Sequence, residues 1–593
     1  MLLNGAIQAQ SIYRQSLTIQ EAHMLYLGIS EDMYDSGVTL MEDNTILFAS
    51  NEERYTRRKN EGGFPHQALA ALLKETGINP ADLDRICVCG HMTPPLPVRF
   101  FPFLQKAVYS VYRSKKDGLS KRLLDFVLFH TPISHTKGDS PARKLTRPLL
   151  APVVRRKLPK ALRALPIGFT EHHTAHAAAA WFASGFDTCL CITADGMGDA
   201  LSMTVSKADR EGGVQRLWSA PAESSFGLFF EMLSQAFGFT PCRDEGKITG
   251  LAAHGDPGKI DIPSPFSLEE GQLIYTGPRG LAGVKWIREK LLTRYDRNDI
   301  SAWAQHLLEH FVLEIAAQWI EQTGLRKIAV AGGIFANVKL NQRLHELSQV
   351  DEFFVLPNMG DGGLSLGAIC EEAGLSPEKI QHVFLGDSFD DDDTEKALGE
   401  AGLSYTKVED PEETIAELLA DNKIVARFHG AMEWGPRALG NRSILARAVD
   451  PEITSRLNTM LSRSDFMPFA PALLLEDAAL YCTHTEKAQH AAEFMTVCFR
   501  CTEKMAREHA PVVHVDGTAR AQFVSQDSNP SFHRILHSLK EKTGSSVVLN
   551  TSFNYHEEPI TRTPQHAIGA FLRAGLDALM LGTFLVTNDK EKE

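Results

Sequence analysis

Two neighbouring stretches of the chain decide the fold: Glu171-His172-His173-Thr174-Ala175-His176-Ala177-Ala178-Ala179-Ala180, and Cys189-Leu190-Cys191-Ile192-Thr193-Ala194-Asp195-Gly196-Met197-Gly198-Asp199. The first is rich in Ala and contains neither Gly nor Pro, which predicts a helix. The second is an apolar run that ends in a carboxylate and a Gly-rich turn, which predicts a buried strand. A helix that leads into such a strand is typical of an α/β fold.

The predicted helix carries two histidines that can share one ligand. His172 and His176 are four residues apart, so a helix places both imidazoles on one face. Two imidazoles form half of a transition-metal site, and Asp195 at the strand end offers a third ligand. The alternative is a pair of histidines that are hydrogen-bonded near a helix start without a metal. The HxxxH spacing alone leaves both interpretations open.

Similar strand–turn elements occur on both sides of this pair. Residues 26–30 lead into residues 34–40 as a predicted hairpin, and residues 328–337 form an apolar run with a Gly-Gly turn. Helical segments such as 303–322 separate them. The chain has no GxxxxGK[ST] motif, which excludes a P-loop site. Two hairpins with small turns and a later Gly-Gly element indicate an actin-like ATPase arrangement, in which backbone N–H groups approach phosphates.

Composition sets limits on the function. The chain has 593 residues, a net charge of -13 and nine cysteines. The acidic balance gives no support for a nucleic-acid-binding protein. An odd number of cysteines at strand spacing argues against a disulfide framework and for a reducing, cytoplasmic compartment. We find no run of apolar residues long enough for a transmembrane helix and no signal-peptide pattern in residues 1–23, which we expect to be an extension.

Two segments depart from the average charge. Residues 106–163 contain 15 Lys and Arg against 3 Asp and Glu, which indicates a basic insertion. It is either a solvated helical excursion or a surface for an anionic acceptor, a membrane or a partner. We expect it to help form the acceptor site through Arg155, Arg156 and Lys157. The acidic run 387–393 is expected to be a solvated linker, because it lacks the spacing of a calcium-binding EF-hand.

A second α/β region follows residue 380 and carries three polar motifs. These are Trp434-Gly435-Pro436-Arg437-Ala438-Leu439-Gly440-Asn441-Arg442-Ser443, His514-Val515-Asp516-Gly517-Thr518-Ala519-Arg520-Ala521-Gln522 and Asn550-Thr551-Ser552-Phe553-Asn554. Guanidinium groups bind phosphate in a bidentate manner, so arginines beside Gly and Ser indicate an oxyanion pocket. A buried arginine that only stabilises a Gly-rich loop is the alternative.

With these motifs in this order, the chain resembles the O-carbamoyltransferases of the NodU/CmcH type over about residues 24–585. The resemblance implies a Kae1-like, actin-like ATPase domain of duplicated α/β topology over 24–380, and a YrdC-like α/β domain over 381–593. It implies that the YrdC-like domain makes carbamoyl-adenylate from carbamoyl phosphate and ATP. The Kae1-like domain then transfers the carbamoyl group to a hydroxyl of a small-molecule acceptor.

The resemblance also assigns residues. It implies a divalent metal, with Fe²⁺ favoured and Mn, Zn or Co also suited to these ligands. The implied metal ligands are His172, His176, Asp195 and Asp361. The implied nucleotide contacts are Gly332, Gly333, Asn337, Gly362 and Gly363. Lys247 is either a phosphate contact or a surface lysine. The residues expected to act on the donor or acceptor are Asp35, Arg437, Arg463, Arg520, Ser552 and Asn554.

The chain departs from the family pattern at three positions. The family commonly reads K-x-R-x-x-F-R-P-F-A-P, but here Leu461 replaces the lysine and Met467 replaces the second arginine. Each charge-assisted contact to a phosphate contributes roughly 1.5–3 kcal/mol, so the donor pocket loses two strong contacts or gains others elsewhere. Tyr34 stands where the family usually has His. Since Tyr is a poor base at neutral pH, Asp35 is the predicted acceptor base.

Two other functions compete with this one. Leu461, Met467 and Tyr34 favour a non-catalytic nucleotide-binding regulator that keeps the fold. A different Kae1/YrdC-type carbamoylation system is the third hypothesis, but the net charge disfavours tRNA, and the single CxxC pair, Cys498 and Cys501, is too few for a four-cysteine zinc finger. We therefore expect a small-molecule hydroxyl acceptor and no nucleic acid, and we leave a homodimer open.

Overall fold

Two five-stranded sheets carry the first two-thirds of the chain in a computed structural model, which describes residues 23–115, 118–123, 141–462, 468–555 and 557–588. The first sheet has the order β3-β2-β1-β4-β5. Strands β1 to β3 are antiparallel, and β1, β4 and β5 are parallel. Its strands are β1 (Leu25–Ser30), β2 (Gly37–Glu42), β3 (Thr45–Asn51), β4 (Arg85–Cys89) and β5 (Ile167–Thr170).

The second sheet repeats this topology. Its strands are β6 (Thr188–Gly198), β7 (Leu201–Asp209), β8 (Gly213–Pro221), β11 (Lys327–Ala331) and β12 (Glu352–Val355), and a separate hairpin is formed by β9 (Phe266–Glu269) and β10 (Gln272–Tyr275). The order is β12-β11-β6-β7-β8, again with three antiparallel strands followed by two parallel ones. Two sheets with one strand order are what a duplicated α/β unit predicts.

Two helices lie between these sheets. The histidine helix, His172–Ser184, packs on the second sheet, and the helix Leu364–Ala373 packs on the first. A Cβ at Gly367 would overlap the carbonyl of Ala175, so glycine is required where the two helices touch. The small residues of the histidine helix therefore do more than favour helix formation. They let the two halves approach closely enough to share one site.

The remaining strands form a third layer. A mixed eight-stranded sheet has the order β13-β23-β22-β14-β15-β21-β16-β20, and β17, β18 and β19 form a small sheet beside it. The strands are β13 (Thr406–Lys407), β14 (Val425–Phe428), β15 (Arg442–Arg447), β16 (Ala470–Leu474), β17 (Cys482–Thr483), β18 (Phe499–Cys501), β19 (Thr518–Ala519), β20 (Gln522–Val524), β21 (Val548–Ser552), β22 (Ala578–Leu581) and β23 (Phe584–Thr587). A mixed α/β fold with several sheets is thus confirmed.

The described helices cover the faces of these sheets. In the first two-thirds they span Glu53–Thr56, His66–Thr76, Leu96–Phe100, Pro102–Tyr112, Pro141–Lys157, His172–Ser184, Phe226–Ala236, Glu245–Ala252, Gly280–Trp286, Arg297–Thr323, Val338–His345 and Leu364–Ala373. In the last third they span Asp391–Ala401, Pro411–Ala420, Ile453–Met460, Ala478–Tyr481, Gln489–Glu493, Glu503–Glu508, Pro530–Thr543 and Pro564–Ala574. Over the described ranges, no helix is long and apolar enough to cross a membrane.

The acidic run 387–393 is not the solvated linker that the sequence predicts. Asp387 is buried, accepts a hydrogen bond from Tyr55 Oη at 2.9 Å and pairs with Arg562. Asp390 caps the helix Asp391–Ala401 by accepting from the Asp393 N–H at 2.9 Å. The remaining acids follow in the first turn, where the helix dipole favours negative charge. The run therefore starts a helix and anchors a long-range ion pair.

The basic region is partly built into the molecule. Lys157 Nζ lies 2.6 Å from Glu31 Oε2, and Glu31 also faces Arg99 at 3.4 Å. Lys157 is therefore tied to a buried carboxylate. The described part of residues 106–163 does not line the central cavity presented below. Residues 1–22 lie outside the described residues.

Candidate active site

The structure brings four predicted metal ligands together. His172 Nε2 and His176 Nε2 lie 3.4 Å and 3.2 Å from Asp195 Oδ2, and each lies 3.7 Å from Asp361 Oδ1. One ligand atom from each of the four side chains falls within 4.8 Å of the others. Residues far apart in the chain thus converge on one point.

Local structure explains how each side chain reaches this point. Glu171 caps the histidine helix by accepting from the Thr174 N–H at 2.8 Å, so the helix starts at His172. Asp195 lies near the end of β6, and Asp361 starts a short 3-10 turn after β12. A Cβ at Gly198 would overlap the His172 ring, so that glycine lets the strand pass beside the imidazole.

Two further carboxylates position the cluster. Asp32 Oδ2 lies 3.1 Å from His172 Nδ1, the arrangement by which an outer carboxylate orients a metal-binding histidine. Asp199 accepts hydrogen bonds from the backbone N–H groups of His91, Met92, Thr93 and His172. It therefore ties the loop after β4 to the histidine helix. Asp32 was not anticipated, although it follows the first predicted strand.

The electrostatics of the cluster suit a bound cation. Burial disfavours charge on Asp195, but hydrogen bonds with His172 and His176 hold its pKa well below the ordinary value. Burial, together with the negative charge of Asp195, raises the pKa of Asp361 well above its ordinary value. Asp361 Oδ1 is buried and has no hydrogen-bond partner among the described atoms. A divalent cation would satisfy this oxygen and both carboxylates, so the residues fit a metal site.

The predicted nucleotide contacts follow β11. Asn337 donates from Nδ2 to Gln305 Oε1 at 2.7 Å and to Thr249 Oγ1 at 3.2 Å, and it lines the cavity with Gly333. Glycine is required at position 332, because φ is 108° and a Cβ there would overlap the Ala194 carbonyl. Gly362 and Gly363 belong to the turn that begins at Asp361. Lys247 faces Asp244 at 3.4 Å and stacks over Phe239.

Asp35 lies at the wall of the same cavity, beside the cluster of His172, His176, Asp195 and Asp361. Its Oδ1 accepts a hydrogen bond from Asn51 Nδ2 at 2.7 Å. Burial, with the negative charge of Glu53, raises its pKa to about 6. Tyr34 also lines the cavity, and its ring lies 6.4 Å from that of Tyr109. The structure therefore places a carboxyl group of raised pKa near the four-residue cluster.

The other end of the cavity carries two arginines. Arg437 and Arg520 both line it, and among the described residues neither guanidinium forms an ion pair. Burial and the charge of Arg520 lower the pKa of Arg437 well below its ordinary value. Ser552 lines the cavity, and its hydroxyl donates to Asn554 Oδ1 at 2.6 Å. Two neighbouring guanidinium groups without an acid partner form a pocket for an anion.

Two of the three departures from the family pattern, Leu461 and Met467, lie on either side of Arg463 in the sequence. Leu461 is buried in the hydrophobic core and does not line the cavity. Arg463, a predicted site residue, and Met467 lie outside the described residues. The described pocket therefore gains no cation from position 461.

One cavity joins the two ends. It has a volume of about 1430 Å³ and runs from Asp195 and Asp361 past Asn337 to Arg437 and Arg520. Its walls include the loop after β1, the end of β6 and the end of β21. The histidine–carboxylate cluster and the arginines therefore share one cavity.

Two parts of one known protein family match the regions of the chain that carry the cluster and the arginines. The carbamoyltransferase N-terminus matches residues 25–264 and 282–370, and the carbamoyltransferase C-terminus matches residues 416–588. The chain belongs to the carbamoyltransferase family. This carbamoyltransferase is therefore an enzyme that transfers carbamoyl groups. The resemblance stated from the motifs is confirmed.

Relatives of this carbamoyltransferase span nearly the whole chain. Uncharacterized protein MJ1051 of Methanocaldococcus jannaschii is 30% identical over 95% of this chain and 100% of its own length. Nodulation protein NolNO of Sinorhizobium fredii is 30% identical over 93% of this chain and 79% of its own length. Among solved structures, full-length HypF is 14% identical, covers 60% of this chain and 57% of its own, and has a TM-score of 0.34.

Proposed function

We propose that this enzyme transfers the carbamoyl group of carbamoyl phosphate, by way of carbamoyl-adenylate made from ATP, to a hydroxyl of a small-molecule acceptor. One observation carries the proposal. The cavity is continuous from a carboxylate–histidine cluster to an unpaired arginine pocket. Carbamoyl-adenylate hydrolyses in water, so a continuous path between its place of formation and its place of use favours this two-stage reaction.

The arginine end suits formation of the adenylate. Water releases phosphate from carbamoyl phosphate to give carbamate, whose oxygen attacks the α-phosphorus of ATP. The bond to the β-phosphate breaks and pyrophosphate leaves. Negative charges must come together in this step, and the guanidinium groups of Arg437 and Arg520 neutralise them. Ser552 lines the same pocket, and its hydroxyl could donate to the anion only by giving up its hydrogen bond to Asn554 Oδ1.

The cluster end suits transfer to the acceptor. The acceptor oxygen attacks the carbamoyl carbon, AMP departs, and Asp35 accepts the hydroxyl proton. A carboxylate whose pKa is raised to about 6 is ionised at neutral pH and is a stronger base than an ordinary carboxylate. His172, His176, Asp195 and Asp361 would hold a divalent metal, with Fe²⁺ as our first choice. Such an ion supplies Lewis-acid polarisation of a phosphoryl or carbamoyl oxygen.

The test separates the two ends. Purified enzyme loaded with Fe²⁺ is given ATP and carbamoyl phosphate, each omitted in turn, and pyrophosphate release is measured. Release that requires carbamoyl phosphate supports the donor reaction. Arg520→Ala should abolish it, whereas His176→Ala should keep it and lose metal binding and carbamoyl transfer. Folded Arg520→Ala that still releases pyrophosphate would place the donor site elsewhere.

The acceptor class is tested with the same enzyme. Acceptors that carry hydroxyl groups, amines or both are offered, and the carbamoylated product is analysed by mass spectrometry and by its lability to mild base. Ester-type products would support transfer to oxygen. Carbamoylated amines alone would contradict the hydroxyl assignment while leaving carbamoyl transfer intact.

A further inference from the structure

Lys339 reaches into the cavity from the cluster side. It lies in the first turn of the helix Val338–His345, two residues after Asn337, and lines the cavity. Its Nζ donates to Gln342 Oε1 at 3.0 Å and lies 2.6 Å from Asp516 Oδ2. The side chains of both Lys339 and Asp516 are 29% exposed, so the pair faces the open cavity.

Asp516 is held from the opposite wall. Its Oδ1 accepts from the backbone N–H of Thr518 at 3.1 Å and from Thr518 Oγ1 at 2.6 Å. Arg520 follows four residues later in the same loop and lines the cavity. The Lys339–Asp516 ion pair therefore crosses the cavity between the helix after the nucleotide turn and the loop that carries the donor arginine.

Electrostatic contacts place this ion pair beside the arginine pocket. The charges of Arg520, Lys339 and Asp516 all act on the thiol of Cys498 and on the imidazole of His514. Of the three cations Lys339, Arg437 and Arg520, only Lys339 has an acid partner among the described residues. Asp516 keeps both oxygens hydrogen-bonded in the present arrangement, and Thr518 still holds one of them if the lysine leaves.

We propose that Lys339 is a third cationic contact for the phosphoryl anion in the arginine pocket, and that Asp516 holds its ammonium until the anion binds. This inference rests on the proposed donor reaction. The ammonium group exchanges one carboxylate for a phosphoryl oxygen, because a lysine stem rotates easily and an ammonium is a compact point charge. Lys339 is thus an anion-binding residue that links the nucleotide turn to the donor pocket.

The experiment measures the affinity of the holoenzyme for inorganic pyrophosphate by calorimetry. Lys339→Met should weaken binding by about ten- to a hundredfold, the range for a hydrogen bond to a charged group. Asp516→Asn should tighten binding by severalfold, because it removes the competing charge and keeps an acceptor for Thr518. Opposite shifts are the expected result. If both variants weaken binding equally, the ion pair is only structural and the inference is overturned.

A double variant separates binding from charge neutralisation. Lys339→Met leaves Asp516 unpaired beside the pocket, and that charge repels an anion by itself. In the variant that carries both Lys339→Met and Asp516→Asn, affinity should stay below that of Asp516→Asn alone, because the contact is missing. Equal affinities would show that Lys339 only neutralises Asp516, which overturns the inference.

Two controls distinguish the inference from the function beneath it. Lys487 does not line the cavity, and its Nζ donates to the Leu347 carbonyl at 2.9 Å. Lys487→Met should therefore leave the affinity for pyrophosphate unchanged. Arg520→Ala should abolish pyrophosphate binding at the donor pocket. If it does not, the donor pocket itself is misplaced. If Arg520→Ala loses binding and folded Lys339→Met keeps it, only the role of Lys339 fails. Thermal unfolding of each variant verifies the fold.

Discussion

At the scale of single residues, Asp35 joins an unusual backbone to a buried carboxyl group. It has a φ of 51°, in the left-handed region that non-glycine residues seldom occupy, and its side chain lies at the cavity wall. Burial and Glu53 raise its pKa to about 6. Since the base must be ionised, we expect the rate of carbamoyl transfer to fall as pH drops through about 6. Pyrophosphate release, measured over the same pH range, should not follow this profile.

The amide variant tests this role of Asp35. Asp35→Asn keeps the size of the side chain but cannot accept a proton, so transfer should fall by about a hundredfold or more. The variant should also lose the acid limb of the pH profile. A transfer rate in Asp35→Asn that matches the wild-type enzyme and keeps the same profile would exclude Asp35 as the base.

Residues could be grouped from the sequence where their spacing is local. His172, His176 and Asp195 could be grouped because helix periodicity and a strand end are visible within about two dozen residues. Asp32 contacts His172 across 140 positions, and no local pattern marks such a pair. Likewise, Lys339 and Asp516 are 177 positions apart. Long-range contacts depend on the packing of sheets, which one sequence does not reveal.

At the scale of elements, the contact between the two central helices sets the geometry of the cluster. The helix Leu364–Ala373 begins just after Asp361, and the histidine helix carries His172 and His176. Gly367→Ala would force a methyl group into the Ala175 carbonyl, and backbone atoms cannot rotate away. We expect a loss of roughly 1–3 kcal/mol in the free energy of unfolding, measured by urea titration. Affinity for Fe²⁺ should fall as well, because the ligands move apart.

A second helical glycine provides the matched control. Gly399 lies inside the helix Asp391–Ala401, and a Cβ there would meet no atom within 4 Å. Gly399→Ala should therefore stabilise the protein by about 0.5–1 kcal/mol through helix propensity. If Gly367→Ala is as stable as Gly399→Ala and binds Fe²⁺ normally, close helix contact does not control the cluster.

Elements with a strong local pattern were predicted better than those with competing signals. The histidine helix, strand β6 and the first hairpin all occur where the sequence predicts them. The acidic run failed because its composition resembles a linker, while Asp390 acts as a helix cap and Asp387 pairs with Arg562. The capping signal was present in the sequence, but the burial of Asp387 depends on a partner 175 positions away.

At the scale of the whole molecule, the duplicated topology accounts for the position of the cluster. Both five-stranded sheets have the same strand order, and the two central helices lie between them. This duplication was expected from the resemblance to the O-carbamoyltransferases. The ranges assigned to the Kae1-like and YrdC-like domains stay predictions. The distance between the eight-stranded sheet and the cluster could not be predicted. This distance depends on contacts between loops that are far apart in the chain.

One such contact gives a prediction about coupling between the two reactions. Arg54 is buried near Asp35, and its Nη2 donates to the Gly435 carbonyl at 2.6 Å, two residues before Arg437. Arg54→Met should loosen the arginine loop against the cluster side, at a cost of roughly 1.5–3 kcal/mol in unfolding free energy. We expect both half-reactions to continue, but more carbamoyl-adenylate should escape to water. The ratio of pyrophosphate released to carbamoylated product, measured in one assay, should rise severalfold.

An exposed arginine across the same junction shows what a surface contact contributes. Arg500 faces Glu346 at 3.3 Å with its side chain 56% exposed, so Arg500→Met should change stability by less than about 1 kcal/mol and leave the ratio unaltered. Arg54 also helps to lower the pKa of Asp35 against the effect of burial, so Arg54→Met should move the acid limb of transfer to higher pH. An unchanged ratio together with an unchanged pH profile would mean that the junction does not couple the two ends. A raised ratio would show that the whole chain, rather than either end alone, protects the intermediate.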